Sequence, residues 1–266
     1  MAAPNPPKIL ITGFGPFLDI TVNPSFEVAR CLPPTLNIPS SGTAVQLIVP
    51  PSPIPAKYHD ILTATSALIK EHSPDLVIHM GLAHGREFFA VEKGARREGY
   101  HEIPDMARRV FTRAENKKIF GKEKERLESG LGLETAVEAW EADVRGVFLR
   151  VQGNNASNEA KEKPLEGKEK NKGKQRQKEK AHTNANAGRS EKTAAQQVDV
   201  RLSDDVGNYV CGFMYYISLV EMQRAVGRTD TVFFHIPYLE GEEDIQVGVR
   251  VTEGLIRALM SVREAR

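Results

Sequence analysis

The chain has 266 residues, 40% of them hydrophobic, and a formal net charge of +1 at pH 7. That length suits one large α/β domain or two small ones, and the near balance of acids and bases gives no bulk electrostatic reason for a nucleic-acid or membrane partner. Two distant cysteines, Cys31 and Cys211, build neither a disulfide framework nor a zinc site, and no run reaches the roughly 18–20 apolar residues of a membrane span or reads as a secretory signal, so a cytoplasmic protein without a metal or cofactor is expected.

In chain order, residues 8–13 (KILITG) read as a buried strand that ends at a glycine turn, and 24–32 as a first helix. Residues 44–49 predict a second strand, and 55–71 carry apolar residues at helical spacing. Residues 75–81 (DLVIHMG) predict a third strand, again ending at glycine, and 134–149 a helix. Residues 198–202 read as a short strand, 209–226 as a long apolar helix, 231–236 (TVFFHI) as a strand and 247–262 as a closing helix. Strands that are continuously apolar and alternate with helices predict a three-layer α/β/α sandwich with a mainly parallel central sheet.

One stretch breaks the alternation. From about 152 to 197 the chain is mostly Lys, Glu, Asn, Ala, Gln and Gly, and Leu165 is its only Leu, Ile, Val, Met or aromatic residue. Too little surface can be buried there to offset the entropy of ordering, which predicts a disordered low-complexity insertion in a single domain of otherwise roughly 220 residues. Its basic core, 161–180, invites an RNA-binding reading, but no aromatic side chains interleave the lysines to stack bases. In a parallel sheet, a loop between a helix and the next strand leaves at the end away from the usual site.

The chemistry concentrates on DVGNYVCGFMYY, residues 205–216. Cys211 follows a strand and a turn and falls in the first turn of the long helix. There, free N–H groups and the helix dipole would stabilise a thiolate and lower its pKa from about 8.5, and the same N–H groups could receive an oxyanion. Cys31, inside an amphipathic helix, reads as a buried inert cysteine. A nucleophilic thiolate needs a base, and the base an orienter. Of the seven histidines, His182 is in the insertion, His59 and His72 read as solvated, and His79 as a core residue. His84 and His101, in loops, remain open. His235, at the end of a strand, is the best-placed base, because open parallel sheets put their sites at strand C-termini. Glu87 and Glu92, in the loop after the third strand, could each orient it, and composition does not choose. Phe14 and Phe17, in the turn GFGPF, suggest a small apolar pocket at the same sheet edge.

These stretches together resemble one family. Thr12 to Phe17 followed by Val22-Asn23-Pro24-Ser25 resembles the N-terminal signature of pyroglutamyl-peptidase I, a family of cytosolic cysteine peptidases that remove an N-terminal pyroglutamate. The 81–92 loop resembles the family's Gly-x-Ala-Gly-Gly-Arg…Glu pattern, and 92–100 is similar to the animal members. Residues 205–211 resemble the nucleophile motif, and Phe234 to Tyr238 the histidine motif. The resemblance covers about 8–105 and 198–260, and suggests a eukaryotic-type member carrying a low-complexity insertion. It implies a triad with Cys211 as nucleophile, His235 as base and then acid, and Glu92, rather than Glu87, as orienter. It implies that Phe14, Phe17 and Tyr209 pack around the pyroglutamyl ring, that small peptides with that terminus are the substrates, and that turnover passes through an acyl-enzyme thioester.

The chain also departs from the pattern. Leu82 stands where bacterial members have glutamine, His84 where many have glycine, Glu102 where bacterial members have arginine, and Gly212 where Asn or Asp is usual. That arginine is linked in the family to the oxyanion, so its absence leaves the Cys211 N–H and Arg86 as oxyanion candidates. Residues 106–132 show no clear match. Two other readings follow: a catalytically degenerate member acting as a binding module, and an RNA- or partner-binding protein using the basic insertion.

Overall fold

Continuous apolar runs in short strands can be buried only if both sheet faces are covered, and the computed structural model is built in this way. It describes residues 5–151 and 194–266. The elements are β1 (Lys8–Gly13), α1 (Pro24–Arg30), β2 (Thr35–Ile38), β3 (Thr43–Ile48), α2 (Tyr58–His72), β4 (Leu76–Leu82), β5 (Phe89–Glu92) and β6 (Gly94–Arg96). They continue as α3 (Arg113–Phe120), β7 (Arg126–Glu128), α4 (Leu133–Asp143), β8 (Phe148–Val151), β9 (Ala194–Gln197), β10 (Val200–Ser203), α5 (Val210–Val226), β11 (Thr231–Ile236) and α6 (Gly241–Glu264).

A seven-stranded sheet runs in the order β10-β5-β11-β4-β1-β3-β2. Strands β11, β4, β1 and β3 are mutually parallel, and β2 is antiparallel to β3. The pair β5 and β10 is internally parallel but joins β11 antiparallel. Ile9, Ile11, Ile78, Val232 and Phe234 face one layer, formed with α1, α4 and α6. Phe14 and Phe233 face the other, formed chiefly by α2 and α5. Trp140 in α4 is fully buried against Phe234 and donates its indole N–H to the Val251 carbonyl at 2.9 Å. The α/β/α sandwich is therefore as the alternation predicts.

The differences lie in short elements. The loop expected after the third strand contains β5, and the antiparallel β6–β7 ladder and α3 fall where no element is predicted. α6 starts at Gly241, earlier than the expected 247, and α4 ends at Asp143, well before 149. α5 is buried on nearly all sides between sheet, α2 and the β6–β7 ladder, which explains its near-continuous apolar sequence. By contacts, residues 1–149 with 197–266 form one unit and 150–196 another. β8 and β9 pair with each other in a separate two-stranded ladder. Most of the stretch read as an insertion, and His182 in it, lies outside the described residues.

Candidate active site

The N-terminal loop is set by the first helix. Asn23 caps α1, its side chain accepting from the Ser25 N–H, while its amide donates to the Gly15 carbonyl at 2.9 Å. The Ser25 hydroxyl in turn accepts the Phe14 N–H at 3.0 Å. The Asn-Pro-Ser stretch thus does two tasks: it starts a helix and it fixes the turn carrying Phe14 and Phe17. These rings, with Tyr209, Val210, Leu82 and Cys211, line an apolar cavity of about 330 Å³. Tyr209 stacks at a tilt on Phe17, with centroids 5.9 Å apart, and its hydroxyl donates to the Pro104 carbonyl at 3.1 Å.

Cys211 lies in the first turn of α5 and is partly exposed to the cavity. Its position over the sheet is read from Gly81. A Cβ there would meet Cys211 Sγ at 3.2 Å and the Phe233 ring at 2.8 Å, so only glycine leaves room for the sulfur. Gly81 is the register partner of His235 in the parallel β4–β11 pair. The thiol therefore hangs above the strand pair at the level of His235, on the face that carries Phe233. Gly212 is needed too: a Cβ would lie 2.1 Å from the Gly207 carbonyl oxygen, so the turn sits tight on the helix start. That accounts for the departure from Asn or Asp at this position.

His235 is buried, 5% exposed, and its Nδ1 lies 2.7 Å from Oε1 of Glu92, which is fully buried. Glu92 is also gripped by Arg86, whose Nη1 donates to Oε1 at 2.8 Å, and by the Asp205 N–H, which donates to Oε2 at 3.0 Å. Burial alone would raise the carboxyl pKa and is the largest single influence. The hydrogen bond and charge of His235, with bonds from Ser203 and Arg86, together outweigh it and hold the pKa below the usual range. An ionised Glu92 can only accept, so Nδ1 carries the proton and Nε2 is left as the basic nitrogen. Glu87, by contrast, is exposed.

Two expectations about thiols change. The helix start does not make Cys211 acidic: burial, then the negative charge of Glu92, push its pKa up to about 12, against a smaller pull from Arg86 and its own backbone N–H. Cys31 is the exposed C-cap residue of α1, not a buried one. His79 is in the core as expected, with Nδ1 2.7 Å from the Thr12 hydroxyl. His59 pairs with Glu115 at 2.9 Å and is only partly exposed, so it is not simply solvated. His84 lines the cavity, while His101 accepts from Arg113 at 3.0 Å away from it. Arg86 is spent on Glu92 and on the Asp205 carbonyl, 2.7 Å away. A larger cleft of about 760 Å³, lined by Arg96, Arg113 and Lys117 among others, lies beside Asn208 and has no thiol or hydroxyl side chain among its lining residues. Among the described residues no helix is long and apolar enough to cross a membrane.

Comparison with known proteins bears on the fold and on part of the sequence. The sequence pattern of the family described as pyroglutamyl peptidase matches residues 7–119. The pyrrolidone-carboxylate peptidase of Bacillus subtilis is 36% identical over 98 residues, 37% of this chain and 42% of its own length. The match thus spans less than half of such bacterial relatives. Pyroglutamyl-peptidase 1 of mouse is 24% identical over 258 residues, 96% of this chain and 91% of its own. Pyroglutamyl peptidase I of Bacillus amyloliquefaciens superposes with a TM-score of 0.63 at 18% identity, covering 96% of this chain and 97% of that one. The pyrrolidone carboxyl peptidase of Thermococcus litoralis gives 0.63 at 14% identity, covering 97% and 96%. Phe14, Phe17, Arg86 and Glu92 lie within the matched stretch 7–119, whereas Tyr209, Cys211 and His235 lie beyond it. In fold, and in sequence pattern over residues 7–119, the chain is similar to the pyroglutamyl peptidases.

Proposed function

We propose that the chain is a cysteine peptidase that hydrolyses the bond after an N-terminal pyroglutamyl residue of small peptides. One observation carries this reading: the cavity that holds Cys211 is walled by aromatic rings, and at the level of the sulfur stands a histidine whose far nitrogen is held by a buried carboxylate. The lactam is flat and uncharged, so Phe14, Phe17 and Tyr209 can bury it at little cost. An ordinary peptide would bring a charged ammonium, which loses its hydration there.

Burial and the charge of Glu92 push the Cys211 pKa up and favour the protonated thiol in the free protein. His235 Nε2 takes that proton as Sγ bonds to the pyroglutamyl carbonyl carbon. The carbonyl oxygen gains the negative charge, and the Cys211 backbone N–H, free at the helix start, is the donor at hand. The C–N bond then breaks, the imidazolium hands its proton to the leaving amine, and a thioester remains. His235 next deprotonates water, which attacks the thioester and releases pyroglutamate and the thiol. Glu92 keeps Nδ1 protonated and stabilises the transient imidazolium. No cofactor enters any step. Both cysteines are free thiols, as a reducing compartment such as the cytoplasm would keep them.

The test is release of a fluorescent amine from pyroglutamyl-aminomethylcoumarin under reducing conditions, with Cys211→Ala and an alanyl substrate as controls. Cysteine-dependent release from the pyroglutamyl substrate alone is the expected result. Leu82 and His84 both line the cavity, so their departure from the family pattern bears on turnover directly. Pyroglutamate binding without release by folded protein would replace the enzyme reading with that of a binding module.

A further inference from the structure

The contacts of Arg86 tie two parts of the proposed machinery together. Its Nη1 reaches Glu92 Oε1, the oxygen that His235 also uses, at 2.8 Å. Its Nη2 reaches the Asp205 carbonyl at 2.7 Å and lies 3.7 Å from the Asp205 carboxylate. Its guanidinium lies over the Phe88 ring, 5.7 Å from the centroid, and Arg201 covers the same ring at 4.1 Å. The side chain is 20% exposed, whereas Glu92 is completely buried.

We propose that Arg86 is a positioning residue that locks the turn bearing the nucleophile to the carboxylate that orients the base. The proposal rests on the peptidase reading of the same site. Two loops meet here: 83–88, which leaves β4, and 204–209, which leaves β10 and delivers Cys211. Because β10 runs antiparallel to β11, the second loop must turn back past Glu92 to bring Cys211 over His235. Arg86 holds that loop by a carbonyl and Glu92 by a carboxylate oxygen, with a planar fork that fixes both angles. The Asp205 N–H closes the ring by donating to the other oxygen of Glu92. Arg86 is therefore not free to serve an oxyanion.

The charge matters as much as the geometry. Glu92 faces His235 from β11, Arg86 from the β4–β5 loop, Ser203 and Asp205 from β10 and its turn, and Cys211 from α5. Tyr215 of α5 donates its hydroxyl to the Glu92 carbonyl oxygen at 3.0 Å. Arg86 is the permanent cation in that set. Without it, the Glu92–His235 pair takes up a proton more readily, whichever member receives it, and Nε2 stops being a base at a higher pH.

The experiment compares Arg86→Gln, Arg86→Met and Arg86→Lys with the unaltered chain and with Glu87→Gln, each first shown to be folded by circular dichroism. Two readouts are taken: the pH profile of kcat/KM on the pyroglutamyl fluorogenic substrate, and the NMR midpoint of the His235 ring, assigned by its loss in His235→Gln. In Gln and Met the acid limb and the NMR midpoint should both move up by about one unit or more, with kcat about a hundredfold lower. Lys should return the limb and midpoint to their original place while restoring kcat only in part, since it keeps the charge but not the fork. Glu87→Gln should change neither. Unmoved limb and midpoint in Gln and Met would overturn the proposal, as would an upward shift persisting in Lys. If the unaltered chain shows no turnover, the peptidase reading fails, and the NMR midpoints alone decide the role of Arg86.

Discussion

Glu92 and His235 are bonded across neighbouring strands without being register partners. In the antiparallel β5–β11 pair, Glu92 stands opposite Phe233, and His235 opposite Ala90, yet Oε1 and Nδ1 are 2.7 Å apart. The contact is diagonal, between side chains of one sheet face. It therefore depends on β5 running opposite to β11, since a parallel strand would slant its residues the other way.

Removing the charge at this diagonal should weaken catalysis more than any change to its neighbour in sequence. Glu92→Gln is expected to lower kcat by about a hundredfold or more. Glu87→Gln, on an exposed residue, should leave kcat within about twofold. Steady-state kinetics on the pyroglutamyl substrate decide this, and a larger loss in the Glu87 variant would move the orienter.

The two thiols should separate cleanly. Cys211→Ala is expected to abolish turnover, and Cys31→Ala to preserve it. In the Cys31→Ala chain, alkylation of Cys211 by iodoacetamide reports its protonation. A pKa pushed up to about 12 means a small thiolate fraction at neutral pH, so the rate should keep climbing through pH 9 and beyond. A plateau already below pH 7, followed by mass spectrometry, would show instead that His235 holds the proton before substrate arrives.

His79 should make the fold acid-sensitive. Burial drives its pKa from 6.5 down to about 3, and among the described residues no hydrogen-bond partner reaches its Nε2. The unfolded chain binds this proton near pH 6.5 and the folded chain does not. The stability is thus complete above pH 6.5 and is lost as pH falls towards 3, by about 1.4 kcal/mol per unit. His79→Leu removes this component, so urea melts at pH 7 and 4.5 should show a shallower pH dependence in the variant. Equal dependence in both would refute the assignment.

Gly212→Ala should damage both fold and site. Its methyl group would sit 2.1 Å from the Gly207 carbonyl, so the turn or the helix start must move. A cost of about 1–3 kcal/mol is expected, together with a fall in kcat, because the same turn carries Cys211. Urea denaturation and kinetics on one preparation check the two effects, and a variant normal in both would show that the turn is not tight.

The sandwich was legible because β1, β4 and β11 are apolar on both faces and carry glycine or His235 at or next to their C-terminal ends, where open sheets place sites. Asn23 and Ser25 were legible as a helix start, but their second task, tying down the Phe14 turn, needed the structure. β5 escaped because four residues carry no periodicity, although Glu92 owes its place to that strand. α3 had a readable signal in Thr112 and Glu115, which form a capping box. The acidity expected of Cys211 failed for a physical reason: a helix dipole acts over its first turn, while the cavity and Glu92 remove water and add negative charge around the same atom.

The sheet order has a consequence for how the protein is made. β11, among the last elements of the chain, lies between β5 and β4, and the described sheet joins β5 and β10 to the rest only through it. Residues 7–119 carry the aromatic turn, Arg86 and Glu92, but neither the sulfur nor the imidazole. On the ribosome this portion emerges first. A chain that ends before β11 therefore lacks both the proposed base and the strand that links β5 to the rest of the described sheet, and is expected to be inert.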